Sequence, residues 1–128
     1  MGHQGRCSAS QAIVVTASLL SIILLHFETT EATTFTVGDT SGWTYNIQSW
    51  ADGKRFKTGD VLTFNYDPSA HDVATVDLKG YNSCSLSLKS KTYSSGKDNI
   101  KLKKGKNYFI CSIPGHCDGG LKIVVDAS

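Results

Sequence analysis

Methionine occurs once in this chain of 128 residues, at Met1. No side chain in the body of the protein therefore offers a thioether to a metal. Proline is scarce: Pro68 and Pro114 are the only two, which excludes a proline-rich stalk. No apolar run reaches the roughly 20 residues of a membrane span. The longest, Ala12 to Leu25 (AIVVTASLLSIILL), has 14 residues. There are no internal repeats, no run mixing arginine with aromatics, and no Asn-x-Ser/Thr sequon, Asn82-Ser83-Cys84 not being the standard acceptor. These absences argue against a solenoid, a nucleic-acid binder and a membrane-spanning chain.

The short apolar run suits another purpose. Arg6 precedes it, and the small residues Thr30 and Ala32 follow it, which is the layout of a secretory signal peptide cut near Ala32/Thr33. Residues 1–32 are thus expected to be removed, leaving 33–128 as one small secreted domain in the extracellular space or cell wall. The C-terminal Val124-Val125-Asp126-Ala127-Ser128 has no hydrophobic tail, so no lipid or membrane anchor is expected. Residues 33–128 carry 12 Lys and Arg against 9 Asp, a formal +3. That charge favours acidic surroundings such as acidic polysaccharide, and is too weak to argue for nucleic acid. The domain is expected to act as a monomer.

Cys7 leaves with the signal, so the domain keeps Cys84, Cys111 and Cys117, an odd number. In an oxidising compartment two would pair and one thiol would need protection, which a metal provides. Neighbouring residues in extended chain point apart, so Cys117 is poorly placed to join His116 on one ion and better placed to pair with Cys84. Three cysteines nevertheless permit three pairings.

Between frequent Gly, Asn, Asp and Ser signals run short β-prone stretches: 34–37, 60–66, 72–77, 99–102, 107–111 and 121–125. In Asp60–Tyr66, Val61, Thr63 and Asn65 take one face and Leu62, Phe64 and Tyr66 the other. Helix is confined to short turns within 50–56 or 80–85. The pattern predicts an all-β antiparallel sandwich or barrel. Trp43, Tyr45, Trp50, Phe64, Tyr108 and Phe109 read as core or core-edge aromatics. Lys101, Lys103, Lys104 and Lys106 read as a solvated face, with 103–107 as a turn.

The chemistry gathers at strand ends. His71 follows the turn Asp67-Pro-Ser-Ala70, Cys111 ends a strand, and Pro114-Gly115 bends the chain so that His116 can return toward Cys111. His71 and His116 are the only histidines in 33–128. Two imidazoles and one thiolate form the equatorial set of a blue-copper site. Zinc also accepts these donors, but a closed zinc site needs a fourth, which here would have to be Cys117, Asp72 or Cys84.

The motifs extend well beyond these ligands. They include Val37-Gly38 with Ser41-Gly42-Trp43-Thr44, Gly53-Lys54-Arg55-Phe56, Gly59-Asp60-Val61-Leu62-Thr63-Phe64-Asn65-Tyr66, Pro68-Ser69-Ala70-His71, Tyr93-Ser94-Ser95-Gly96, Ile100-Lys101-Leu102, and Tyr108-Phe109-Ile110-Cys111 with Pro114-Gly115-His116-Cys117. Across 33–128 the chain resembles the phytocyanins, the plant cupredoxins, and within them the plantacyanins or basic blue proteins. The resemblance implies a Greek-key cupredoxin fold, one copper held by His71, Cys111 and His116, and a Cys84–Cys117 disulfide. In two places the chain departs from the family. Leu121 occupies the axial position that carries Met in plantacyanins and Gln in stellacyanins, and Asp72 follows the first histidine where Asn is common.

The expected function is a secreted one-electron carrier cycling between Cu(II) and Cu(I), with an unidentified redox partner and no axial donor. It is not expected to be an enzyme, because no acid–base or nucleophile pair stands apart from the metal ligands. The alternative is an extracellular matrix or signalling protein in which copper is mainly structural.

Overall fold

Leu62 and Phe64 explain the first layer. They alternate along a strand and are both fully buried, while Val61 and Asn65 stay half-exposed. A computed structural model describes residues 31–128; the expected signal segment therefore lies, apart from its last two residues, outside the described residues. The elements in order are β1 Thr34–Thr36, β2 Val61–Asn65, β3 Val73–Val76, α1 Leu78–Ser83, β4 Lys91–Tyr93, β5 Lys97–Lys101, β6 Gly105–Ile110 and β7 Lys122–Ala127. Short 3-10 turns at Asp39–Ser41 and Gln48–Ala51 interrupt the β1–β2 connection.

Two sheets result, one ordered β1-β2-β5 and the other β4-β3-β6-β7. Their inner faces supply one core in which Trp43, Phe64 and Phe109 are all but fully buried. Phe64 meets Trp43 edge-on at 5.1 Å and Phe109 at 5.0 Å between ring centroids, separations typical of favourable aromatic pairs. Thr63 breaks the alternation: it is buried because its Oγ1 donates to Asn99 Oδ1 at 2.6 Å, directly across the β2–β5 register. Buried carboxylates are likewise satisfied. Asp60 accepts from the backbone N–H of Thr33 and Lys57, and Asp98 from the hydroxyls of Ser95 and Tyr66.

The all-β expectation holds, with little helix and two sheets, but four details differ. The sheets are not wholly antiparallel: β1 and β2 run parallel, Phe35 opposite Leu62. A parallel pair needs a long crossover, and residues 37–60 provide it. Strand β4 was not anticipated, because three residues, Lys-Thr-Tyr, are too few to show an alternation; it exists by pairing with the open edge of β3. The 103–107 turn is tighter than expected. Strand β6 already begins at Gly105, because Asn107 closes the bend through its amide, accepting from Lys103 N–H and donating to the Lys103 and Gly105 carbonyls. Helical turns form in both expected regions, each starting two residues earlier than read. Asp77 sets that start for α1 by capping the N–H of Gly80. Among the described residues no helix is long and apolar enough to cross a membrane.

Candidate metal centre

Three donors converge where β3 begins and β6 ends. The side-chain donor atoms of His71, Cys111 and His116 all lie within 4.8 Å of one another. His71 Nδ1 is 3.1 Å from His116 Nδ1, and Cys111 Sγ is 3.6 Å from the same nitrogen. These separations suit atoms sharing one ion that sits roughly 2 Å from each.

Local chemistry places each donor. Asp67 Oδ1 accepts from both N–H and Oγ of Ser69, while its carbonyl accepts from the N–H of Ala70 and of His71. This closed turn delivers His71 to the mouth of β3. Cys111 extends β6 by one residue: its N–H donates to the Leu121 carbonyl at 3.0 Å, and the Leu121 N–H donates to the His116 carbonyl at 3.0 Å. Leu121 thus ties the cysteine to the second histidine through its backbone, while its side chain is fully buried in the core shared with Cys111. Between them the loop reverses at Gly115, whose φ of +86° is one that glycine adopts without strain.

The cysteines divide cleanly. Cys84 and Cys117 are joined, with Sγ–Sγ 2.06 Å, and among the described residues Cys111 is the free, buried thiol. Cys84 caps α1 in a left-handed conformation, so the bridge fastens that helix to the ligand loop beside His116.

The contacts of two neighbours escaped sequence reasoning. Asp72 reaches across to the residue after Cys111: its Oδ1 accepts from Ser112 N–H and its Oδ2 from Ser112 Oγ. The Asp72 carbonyl also accepts from Trp43 Nε1 at 2.9 Å. Tyr45, read as a core-edge aromatic, is instead 42% exposed and packs against both imidazoles, 5.8 Å from His71 and 5.7 Å from His116 between centroids. Tyr45 is 26 positions from His71, and no local pattern links the two.

Burial acts on two of the donors in opposite senses. Burial, then the neighbouring His116, pushes the His71 imidazole below its ordinary range and favours the neutral ring. Burial pushes the Cys111 thiol up. A thiolate there needs a cation beside it, and the neutral His71 ring supplies no charge of its own. The donor set therefore fits a soft or borderline metal ion.

Residues 40–121 match the plastocyanin-like domain family. The chain is 47% identical to the chemocyanin of Lilium longiflorum over 98% of both sequences, and 46% identical to a basic blue protein of Arabidopsis thaliana over 97% of this chain and 96% of that one. This protein belongs to the phytocyanin family. Among solved structures, cucumber basic protein, a blue copper protein, superposes with a TM-score of 0.73 at 50% identity, covering 75% of this chain and all of that one. Spinach plantacyanin superposes at 0.64 with 53% identity, covering 68% and 94%. Cucumber stellacyanin follows at 0.66 with 30% identity, covering 76% and 96%. The phytocyanin fold thus accounts for both sheets and for the loop carrying Cys111 and His116.

Proposed function

We propose that this phytocyanin is a secreted one-electron carrier whose single copper ion is held by His71, Cys111 and His116, with Leu121 at the axial position and no donor there. The observation that carries the reading is the convergence of one thiol and two imidazole nitrogens within 4.8 Å in a chain of this family. Bound copper would supply the Cu(II)/Cu(I) couple.

The chain's own residues do the rest. Cys111, buried at the end of β6, offers the thiolate that gives a blue site its strong bond and colour. His71 and His116 would hold the ion with it through imidazole nitrogens, each ring backed by Tyr45. The donors sit on segments locked by Asp67, by the Leu121 backbone and by the Asp72–Ser112 bonds. Such a frame resists rearrangement between oxidation states. His116 is half-buried beside the exposed Pro114 and Gly115, so its ring edge offers electrons a way in and out. Among the described residues no acid–base or nucleophile constellation stands apart from the three ligands, which favours a carrier over an enzyme.

Secretion rests on the sequence of residues 1–32. Expression of the whole chain in a plant cell and N-terminal sequencing of the extracellular protein should give a start near Thr33; retention inside the cell would reject it. For the metal, the copper-loaded protein is expected to show intense blue absorption and a narrow copper hyperfine splitting, both lost in Cys111→Ser. A colourless adduct, or zinc bound in preference at equal supply, would refute the copper reading.

A further inference from the structure

The far ends of the same strands carry a second feature. Between β4, the edge of one sheet, and β5, the edge of the other, opens a trough of about 680 Å³. Ligand clefts fall at roughly 300–1,000 Å³. Its walls are the last residues of β3, the strands β4 and β5, residues Lys106 to Phe109 of β6, and the loops between them.

Its charge is unlike that of the rest of the domain. Lys89, Lys91, Lys101, Lys103, Lys104 and Lys106 all line it and all are exposed. Asp77 is the only acid there, and its Oδ1 is engaged by the Gly80 N–H. Six basic groups against one acid give the trough a formal +5, whereas the six basic and eight acidic side chains elsewhere in 33–128 sum to −2. Half the cations of a mildly charged domain are thus gathered on one face. Lysines on open strand edges also deter a second sheet from pairing. That role accounts for Lys91 and Lys101, but not for Lys106 on the interior strand β6 or for Lys89, Lys103 and Lys104 in loops.

From this we infer that the trough binds a linear polyanion of carboxylated sugars, a polyuronate. Every cation is lysine, a compact point charge suited to scattered carboxylates. The planar arginine fork that favours phosphate is missing from the trough. The hydroxyls of Ser87 and Ser90 and the amide nitrogen of Asn99 add groups that sugar hydroxyls bind, while Thr75 and Asn107 are committed to neighbouring backbone. The tyrosine rings on which bases would stack are already engaged: Tyr93 lies under the Lys91 ammonium at 5.1 Å, and Tyr108 packs on Tyr81 at 5.4 Å between centroids. The chain would lie across the ends of β3 and β6 remote from the ligands, about 15 Å along the strand from His71 and Cys111. The His116 edge stays open, so a protein held on an acidic polymer remains accessible to an electron donor.

The trough holds none of the three proposed copper ligands, so this inference stands or falls apart from the copper reading. The test is titration of the processed protein, copper-loaded and copper-free, with polygalacturonate at 0.05 and 0.15 M salt, followed calorimetrically. Both forms should bind equally, more weakly at higher salt, and neither should bind the fully methyl-esterified polymer. Lys91→Gln/Lys101→Gln should lower affinity by about tenfold, as expected for two partly exposed ion pairs. The equally charged control Lys57→Gln/Lys97→Gln, outside the trough, should change it less than about threefold. Equal losses in both pairs would mean that net charge alone binds the polymer and would overturn the site. Polyglutamate of matching length binding as tightly would overturn the sugar assignment, as would absence of binding at 0.15 M salt.

Discussion

Asp72 grips Ser112 with both carboxylate oxygens, one on the backbone N–H and one on the hydroxyl. The two residues immediately follow His71 and Cys111, so the bonds pin one ligand-bearing segment to the other. Removing the acceptor leaves a half-buried N–H and hydroxyl without partners. Asp72→Ala should therefore lower the stability of the copper-free protein by roughly 2–4 kcal/mol, two bonds to a charged group. Asp72→Asn keeps an acceptor for the N–H and a donor for the hydroxyl, and should cost less than about 1 kcal/mol. The same Asn variant removes a negative charge near the metal and should raise the reduction potential. Urea midpoints together with voltammetry check both; equal destabilisation by Ala and Asn would remove the positioning role.

The Cys84–Cys117 bridge closes a segment with a sequence separation of 33. Loop-closure entropy for a segment of that length gives about 3–4 kcal/mol. Cys84→Ser/Cys117→Ser should lose about that much in a denaturant titration of the copper-free protein. Copper loading should recover part of it, since an ion that binds only the folded state stabilises by mass action. A bridge that merely decorates the surface would leave the midpoint unchanged.

Tyr66 donates its hydroxyl to Asp98, and burial followed by this bond pushes its phenol up to about 12. Tyrosine in an unfolded chain titrates near 10. The folded value is the higher one, so the contribution to stability is complete below pH 10 and is lost as pH climbs from about 10 to about 12. Absorbance near 295 nm should show one late tyrosine that Tyr66→Phe removes and Asp98→Asn moves downward. If the late tyrosine persists in Tyr66→Phe, the assignment is wrong.

What sequence could show depended on the range of each signal. Alternation exposed β2 because Leu62 and Phe64 are buried while their flanking neighbours Val61 and Asn65 are not. The ligand loop was readable because Cys111, Gly115 and His116 lie within six residues, close enough for a turn to bring them together. Strand β4 was illegible, since its three residues gain their conformation from the β3 edge rather than from their own pattern. Tyr45 and the Asp72–Ser112 clasp were equally invisible: both are contacts between segments remote in the chain, and tyrosine or aspartate in a loop has many other uses. The lysine trough needed the fold as well. Lys101 to Lys106 are consecutive enough to be seen as a patch, but Lys89 and Lys91 join them only across the gap between sheets.

Leu121 leads to the prediction that most separates this phytocyanin from a site with an axial donor. Its side chain is fully buried, and its backbone already bonds both Cys111 and His116, so the residue sits against the site with an aliphatic surface. An axial thioether or amide donates electron density that favours Cu(II), and its removal favours Cu(I). Leu121→Met is close to volume-conserving, which buried positions tolerate at a cost of less than about 1.5 kcal/mol. The variant should fold, remain blue and show a lower potential. A drop of about 60 mV or more corresponds to at least a tenfold change in the one-electron equilibrium. A negative charge on Asp72 would push the potential of the native protein downward, so the comparison is best repeated in Asp72→Asn, where the axial effect stands alone. An unchanged or higher potential in Leu121→Met in both backgrounds would show that residue 121 does not tune the metal. The Leu121 backbone bonds would then be its whole contribution.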